Sequence, residues 1–184
     1  KLMITSAMLQ VMHSEVLTVK GRKKYGDSLH FIGKREALWD WQCLTLFTAS
    51  RISEYGQRQS TAAKPWDVIP NTADAGEWAG MPIAFIADNV VFYTSSNHRL
   101  THETCDQPDA HKRINIAHLR FQYDKSKEYF VMKIYRRQPG ANALCPVRAL
   151  VDICRRAREL QIPPAEPLGQ FRDFEAKRHT YRRC

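Results

Sequence analysis

Two stretches decide how this chain is read: Ile114-Asn115-Ile116-Ala117-His118-Leu119-Arg120-Phe121-Gln122-Tyr123 and, five residues later, Tyr129-Phe130-Val131-Met132-Lys133-Ile134-Tyr135. In the first, Leu119, Phe121 and Tyr123 alternate with Arg120 and Gln122. That two-residue period belongs to a strand with one buried face, and the second stretch alternates in the same way. Between them lies the polar turn Asp124-Lys125-Ser126-Lys127-Glu128, so the pair predicts an antiparallel hairpin. Two shorter strands are expected upstream, near Ile83 to Ile86 and Val90 to Tyr93.

Outward from the hairpin the period changes to that of helices. Thr5 and Ser6 can cap a first helix in which Met8, Val11, Met12, Val16 and Val19 recur at helical spacing. A second helix is expected from about Lys34 through Glu54, with Ala37, Trp41, Leu44 and Phe47 on one face and Gly56 as its stop. Residues 57–82, with Pro65, Pro70, Gly76, Gly80 and Pro82, read as a long loop or insertion. After the hairpin, Pro146 suits the first turn of a helix whose buried stripe is Val147, Leu150, Val151, Cys154, Ala157 and Leu160, ended by Pro163-Pro164. A basic tail, 171–184, follows. The expectation is one mainly helical α+β domain over 1–184 with a small antiparallel sheet.

The formal charge of +9 is not spread evenly. Residues 111–137 hold eight Lys and Arg against two acids, and 171–184 hold five against two, so these segments carry +6 and +3 and the rest nets to zero. A one-sided excess of this kind suits a phosphate-facing surface, although two solvated basic faces would look the same. Lys112, Arg113, Arg120, Lys125, Lys133, Arg136 and Arg137 are the candidate phosphate contacts. The five cysteines are odd in number and irregularly spaced, without a Cys-x-x-Cys pair, which favours a reduced, intracellular protein. Charged residues interrupt every apolar run, so no membrane span is expected. With Lys1 rather than Met in first place, the chain is expected to be an excerpt of something longer.

Arg51 closes an apolar helix, where an unpaired guanidinium must reach solvent or an anion, and Glu54 three residues on can pair with it. Taken alone, that is an ordinary intrahelical ion pair. The wording around it says more: Thr48-Ala49-Ser50-Arg51-Ile52-Ser53-Glu54 resembles the Thr-Gly-Leu-Arg-x-Ser-Glu motif that closes a long helix in tyrosine recombinases. That family then has a small sheet, a lysine in a hairpin turn like 124–128, and a helix opening with words like Leu144-Cys145-Pro146-Val147-Arg148-Ala149-Leu150. The last phrase is closest to recombinases of eukaryotic mobile elements.

The resemblance implies the catalytic core of a DNA breaking-rejoining, integrase-like enzyme, acting in recombination or integration through a 3′-phosphotyrosyl intermediate. Arg51 would be the first of two arginines clamping the scissile phosphate, a task that suits a planar fork which stays protonated. Glu54 would orient the site, and Lys127, or alternatively Lys125, would protonate the departing 5′ oxygen. The partners implied are double-stranded DNA and other recombinase protomers. No cofactor or metal is implied, because the phosphodiester energy is kept in the covalent bond. The location implied is the nucleus of a eukaryote or the cytoplasm of a bacterium.

The family's His-x-x-Arg, its further His or Trp and its nucleophilic Tyr are expected downstream. His179-Thr180-Tyr181-Arg182 spells the first of these, but without the intervening helices, and Tyr181 lies inside the motif rather than beyond it. The chain therefore reads as a C-terminally truncated part, inactive by itself, and whether it is an enzyme stays open. Ala49-Ser50 in place of the usual Gly-Leu is a further departure.

Three other readings compete. His98, His102, Cys105 and His111 are ligand types, but H-x3-H-x2-C-x5-H matches no named zinc pattern. A non-catalytic nucleic-acid-binding module, or relic of an integrase, fits the charge equally well, with Trp39, Trp41, Trp66 and Trp78 as candidate stacking groups, although the first two suit a core. A purely structural helical protein would leave the ordered motifs as coincidence.

Overall fold

The computed structural model describes residues 29–49, 68–123, 129–140, 144–172 and 178–180, together with Ala7, Met8 and Val11. Its elements are α1 (Leu29–Thr48), β1 (Val90–Tyr93), β2 (Arg99–Leu100), the one-turn α2 (Ala110–Arg113), β3 (Ile116–Tyr123), β4 (Tyr129–Arg136), α3 (Pro146–Glu159), β5 (Gln170–Arg172) and β6 (Arg178–Thr180), with short 3-10 turns at Ala73–Trp78, Ala87–Asn89 and His102–Asp106. This is a mixed α+β fold built on a small antiparallel sheet of order β2-β1-β3-β4. β5 and β6 pair separately, Phe171 opposite His179, within the segment read as a basic tail.

The predicted hairpin is present: β3 and β4 pair antiparallel from Ile116 opposite Arg136 to Tyr123 opposite Tyr129. β1 lies against β3 with Val90 opposite Leu119 and Phe92 opposite Ala117, and β2 puts Arg99 opposite Tyr93. Successive side chains alternate between faces. Val90, Phe92, Ala117, Leu119 and Phe121 form the inner face and are buried. The outer face has three rows: Arg99, Tyr93, Ile116 and Arg136; then Val91, His118 and Ile134; then Arg120 and Met132.

Residues 83–86 do not form the expected strand. Ala84, Phe85 and Ile86 are all buried, so there is no exposed side for a two-residue pattern to mark. The segment turns instead, and the Asn89 side-chain oxygen accepts a 2.8 Å hydrogen bond from the Ile86 amide. Phe85 links sheet and helix, stacked with Trp41 at 6.3 Å and edge-on to Phe121 at 5.1 Å.

α1 starts and ends earlier than the periodicity suggested. It stops at Thr48 because Ala49 takes φ 53°, and the Ala49 amide donates to the Thr45 carbonyl at 2.8 Å. That is the single-bond left-handed cap usually made by glycine. Ala37, Trp41 and Leu44 are buried as expected, but Phe47 is exposed and Thr48 completes the stripe, since an offset of eleven residues returns to the same face and ten does not. Met8 and Val11, read as part of an apolar face, are exposed.

α3 begins with Pro146 in its first turn and buries the predicted stripe from Val147 to Ala157. It ends at Glu159, before the two prolines. Gln161 takes φ 53°, its amide donates to Arg158, and the Ile162 amide donates to Ala157, the paired bonds of a Schellman cap. The described cysteines Cys43, Cys105, Cys145 and Cys154 are buried in the core and form no disulfide. No helix among the described residues is long and apolar enough to cross a membrane.

Candidate functional site

Asp40 stands between Trp39 and Trp41 on the inner side of α1 and is buried, which leaves its carboxylate poorly solvated. α3 answers it with Arg156, whose Nη2 bonds Asp40 Oδ2; both side chains are largely buried. One turn away on α3, Asp152 Oδ1 receives His111 Nε2 of α2 at 3.0 Å and Arg155 Nη1 at 2.9 Å. Arg155 also donates from Nε to the Cys105 carbonyl at 2.7 Å. Arg137, just past β4, reaches the His111 carbonyl at 2.7 Å. These groups border a cavity of about 750 Å³, which Glu36, Lys112 and Arg148 also line.

Burial pushes the Asp40 carboxyl up to about 7; Arg156 pulls it the other way and Asp152 adds to the rise. Burial likewise pushes the Cys43 thiol, on the same wall, up to about 12, so it stays protonated and is a poor nucleophile near neutral pH. The network ties α1, α2, α3 and the end of β4 together, with each guanidinium meeting a carboxylate or a carbonyl. Arg148 bonds the Gly140 carbonyl, which fixes the chain just before α3. The arrangement is chemically suited to holding elements in register.

The sequence reading missed this cluster, although one signal was present. The argument that made Arg51 conspicuous, a lone charge on an apolar helix, applies equally to Asp40 in Leu38-Trp39-Asp40-Trp41.

Of the predicted catalytic residues, Arg51, Glu54, Lys125, Lys127 and Arg182 lie outside the described residues. His179 lies on β6, opposite Phe171, with its backbone alone described. The other candidate phosphate contacts are dispersed rather than gathered. Lys112 and Arg137 line the cavity. Arg113 bonds the Gln107 side chain. Arg120 and Arg136 are on the outer face of the sheet, where Arg120 donates to the Asp88 carbonyl at 3.2 Å. Lys133 is on the opposite, inner face, with its ammonium 4.4 Å from the centre of the Phe121 ring.

The four candidate zinc ligands are each placed differently. His98 is exposed, and Cys105 is buried with its thiol pushed up to about 12. His102 Nε2 is 2.8 Å from the Val90 carbonyl oxygen, and His111 holds Asp152. Among the described residues no three His, Cys, Asp or Glu side chains are placed to share a metal ion. No family model, no curated protein and no solved structure matches this chain.

Proposed function

We propose that the chain is part of the catalytic domain of a tyrosine recombinase, a DNA-binding piece of an enzyme that cleaves and rejoins duplex DNA through a 3′-phosphotyrosyl intermediate. The observation that carries this reading is the cap at Ala49. The family's motif has glycine at that place, and here the backbone adopts φ 53°, the conformation glycine is used for, even though the residue is alanine. A side chain that costs conformational energy, held in a glycine geometry two residues before Arg51, is what a divergent copy of that motif would show.

Two further features support the reading. The long strands β3 and β4 flank the stretch 124–128 that contains Lys125 and Lys127, and the helix opening at Pro146 follows in the motif's order. In this reading Arg51 binds non-bridging oxygens of the scissile phosphate, Glu54 orients the site, and Lys127 or Lys125 delivers a proton to the leaving 5′ oxygen. Duplex DNA and further recombinase protomers are the partners, in the nucleus or cytoplasm according to source.

Two measurements test it. Anisotropy of a labelled duplex should show weak binding that falls about tenfold or more between 50 and 200 mM salt, with little sequence preference. Salt-indifferent binding would end the electrostatic part of the reading. Translating the source DNA in frame beyond the codon for Cys184 should reveal a His-x-x-Arg, a His or Trp and then a Tyr on an amphipathic helix. An immediate stop would instead favour the non-catalytic module.

A further inference from the structure

The outer face of the sheet combines rings, open aliphatic side chains and three arginines. On its two central strands, Tyr93 of β1 and His118 of β3 are half-buried with ring centroids 4.5 Å apart, tilted by 42°. Beside them on β4, Ile134 is 59% exposed and Met132 46%. Three arginines border this centre: Arg99 and Arg136 at the two ends of the row that contains Tyr93, and Arg120 one row beyond His118. None of the outer-face positions on β1 to β4 in these rows holds an acid. At the usual interstrand spacing, Arg99 and Arg136 stand about 14 Å apart.

We infer that this face binds single-stranded nucleic acid, with bases laid on Tyr93, His118 and Ile134 and the backbone phosphates held by Arg99, Arg120 and Arg136. Charge selects a polyanion, and the apolar centre selects which kind. A duplex presents phosphates and groove edges while its base faces are stacked inside, so it would leave Ile134 and Met132 against charged backbone. An unpaired strand offers π-faces to the rings and aliphatic groups while its phosphates reach the arginines. Arg120 is already positioned by its bond to the Asp88 carbonyl, which lowers the entropy cost of using it. Ile116, between Tyr93 and Arg136 in the same row, is buried and offers no contact of its own. The site shares Arg120 and Arg136 with the candidate phosphate contacts for duplex DNA, but its base contacts at Tyr93, His118 and Ile134 do not depend on the recombinase reading, which centres on Arg51.

The test compares fluorescein-labelled twelve-residue oligothymidylate, oligouridylate and a twelve-pair duplex by anisotropy with the whole chain at one salt concentration. The single strands should bind more tightly than the duplex. Ile134→Ser and Tyr93→Leu should each weaken single-strand binding about tenfold, the effect of losing one base contact, and leave duplex binding unchanged. Ile134→Ser keeps the test decisive if Tyr93→Leu fails to fold. Preference for thymidylate or for uridylate would identify the sugar, and either supports the site. Three outcomes overturn it: no binding of the single strands, equal losses for single strand and duplex, or sedimentation showing a dimer that Ile134→Ser dissociates.

Discussion

Arg156 and Arg136 are the same residue type, one on α3 and the other on β4, yet they act in opposite ways. Arg156 is enclosed between α1 and α3 and bonds Asp40, so its charge is spent inside the fold. Arg136 is exposed on a sheet face whose described rows hold no acid. The difference shows that counting basic residues along the chain overstates the surface field. Some basic residues, as Arg156 with Asp40, are neutralised by acids from distant parts of the sequence, and only the remainder can meet a phosphate.

The strongest way to probe the enclosed side is pH. Asp40 has its carboxyl raised from 3.8 to about 7 in the fold, so the folded state holds the proton more firmly than the unfolded chain does. Its contribution is therefore complete below about pH 4 and is lost as pH rises through 7, a loss on the order of 4 kcal/mol. Urea denaturation from pH 4 to 8 should show wild type losing stability relative to Asp40→Asn. A constant difference between the two would mean that Arg156 keeps Asp40 ionised throughout.

Next in size is Arg156→Met, which leaves Asp40 buried without its cation. A loss of about 3 kcal/mol is expected at pH 8, shrinking as pH falls through about 7, where the carboxyl becomes neutral and needs no counterion. A loss independent of pH would assign the effect to packing alone. Ala49→Gly should add roughly 0.5–1 kcal/mol by relieving the left-handed alanine, read as a shift of the urea midpoint. Destabilisation instead would mean that the methyl group's contacts outweigh the backbone cost.

On the open side the expected change is smallest. Ile134→Ser should alter stability by less than about 0.5 kcal/mol, because the side chain is mostly in water already. A larger loss would show that the exposed face is structurally required, and would sharpen the contrast in the opposite direction.

Periodic features were legible from the sequence. The alternation around Leu119 and Phe121 predicted β3, and the stripe from Val147 to Ala157 predicted α3, because burial on one face leaves its period in the order of residues. Segments buried on every side carry no such period, which is why 83–86 was misread as a strand. Helix ends were also misplaced: Ala49 and Gln161 stop their helices in a conformation that their side chains do not announce.

By itself the sequence determined the pairing of β3 with β4, the buried stripe of α3, the excess of positive charge and the wording of the motif around Arg51. Tertiary structure alone decided that Asp40 meets Arg156 across 116 positions of chain, that Lys133 faces inward, and that Tyr93 and His118 lie side by side. The reason is physical. Local patterns record which side of an element is dry, whereas the pairing of one charge or ring with another depends on how the elements are brought together, and a single sequence does not record that distance.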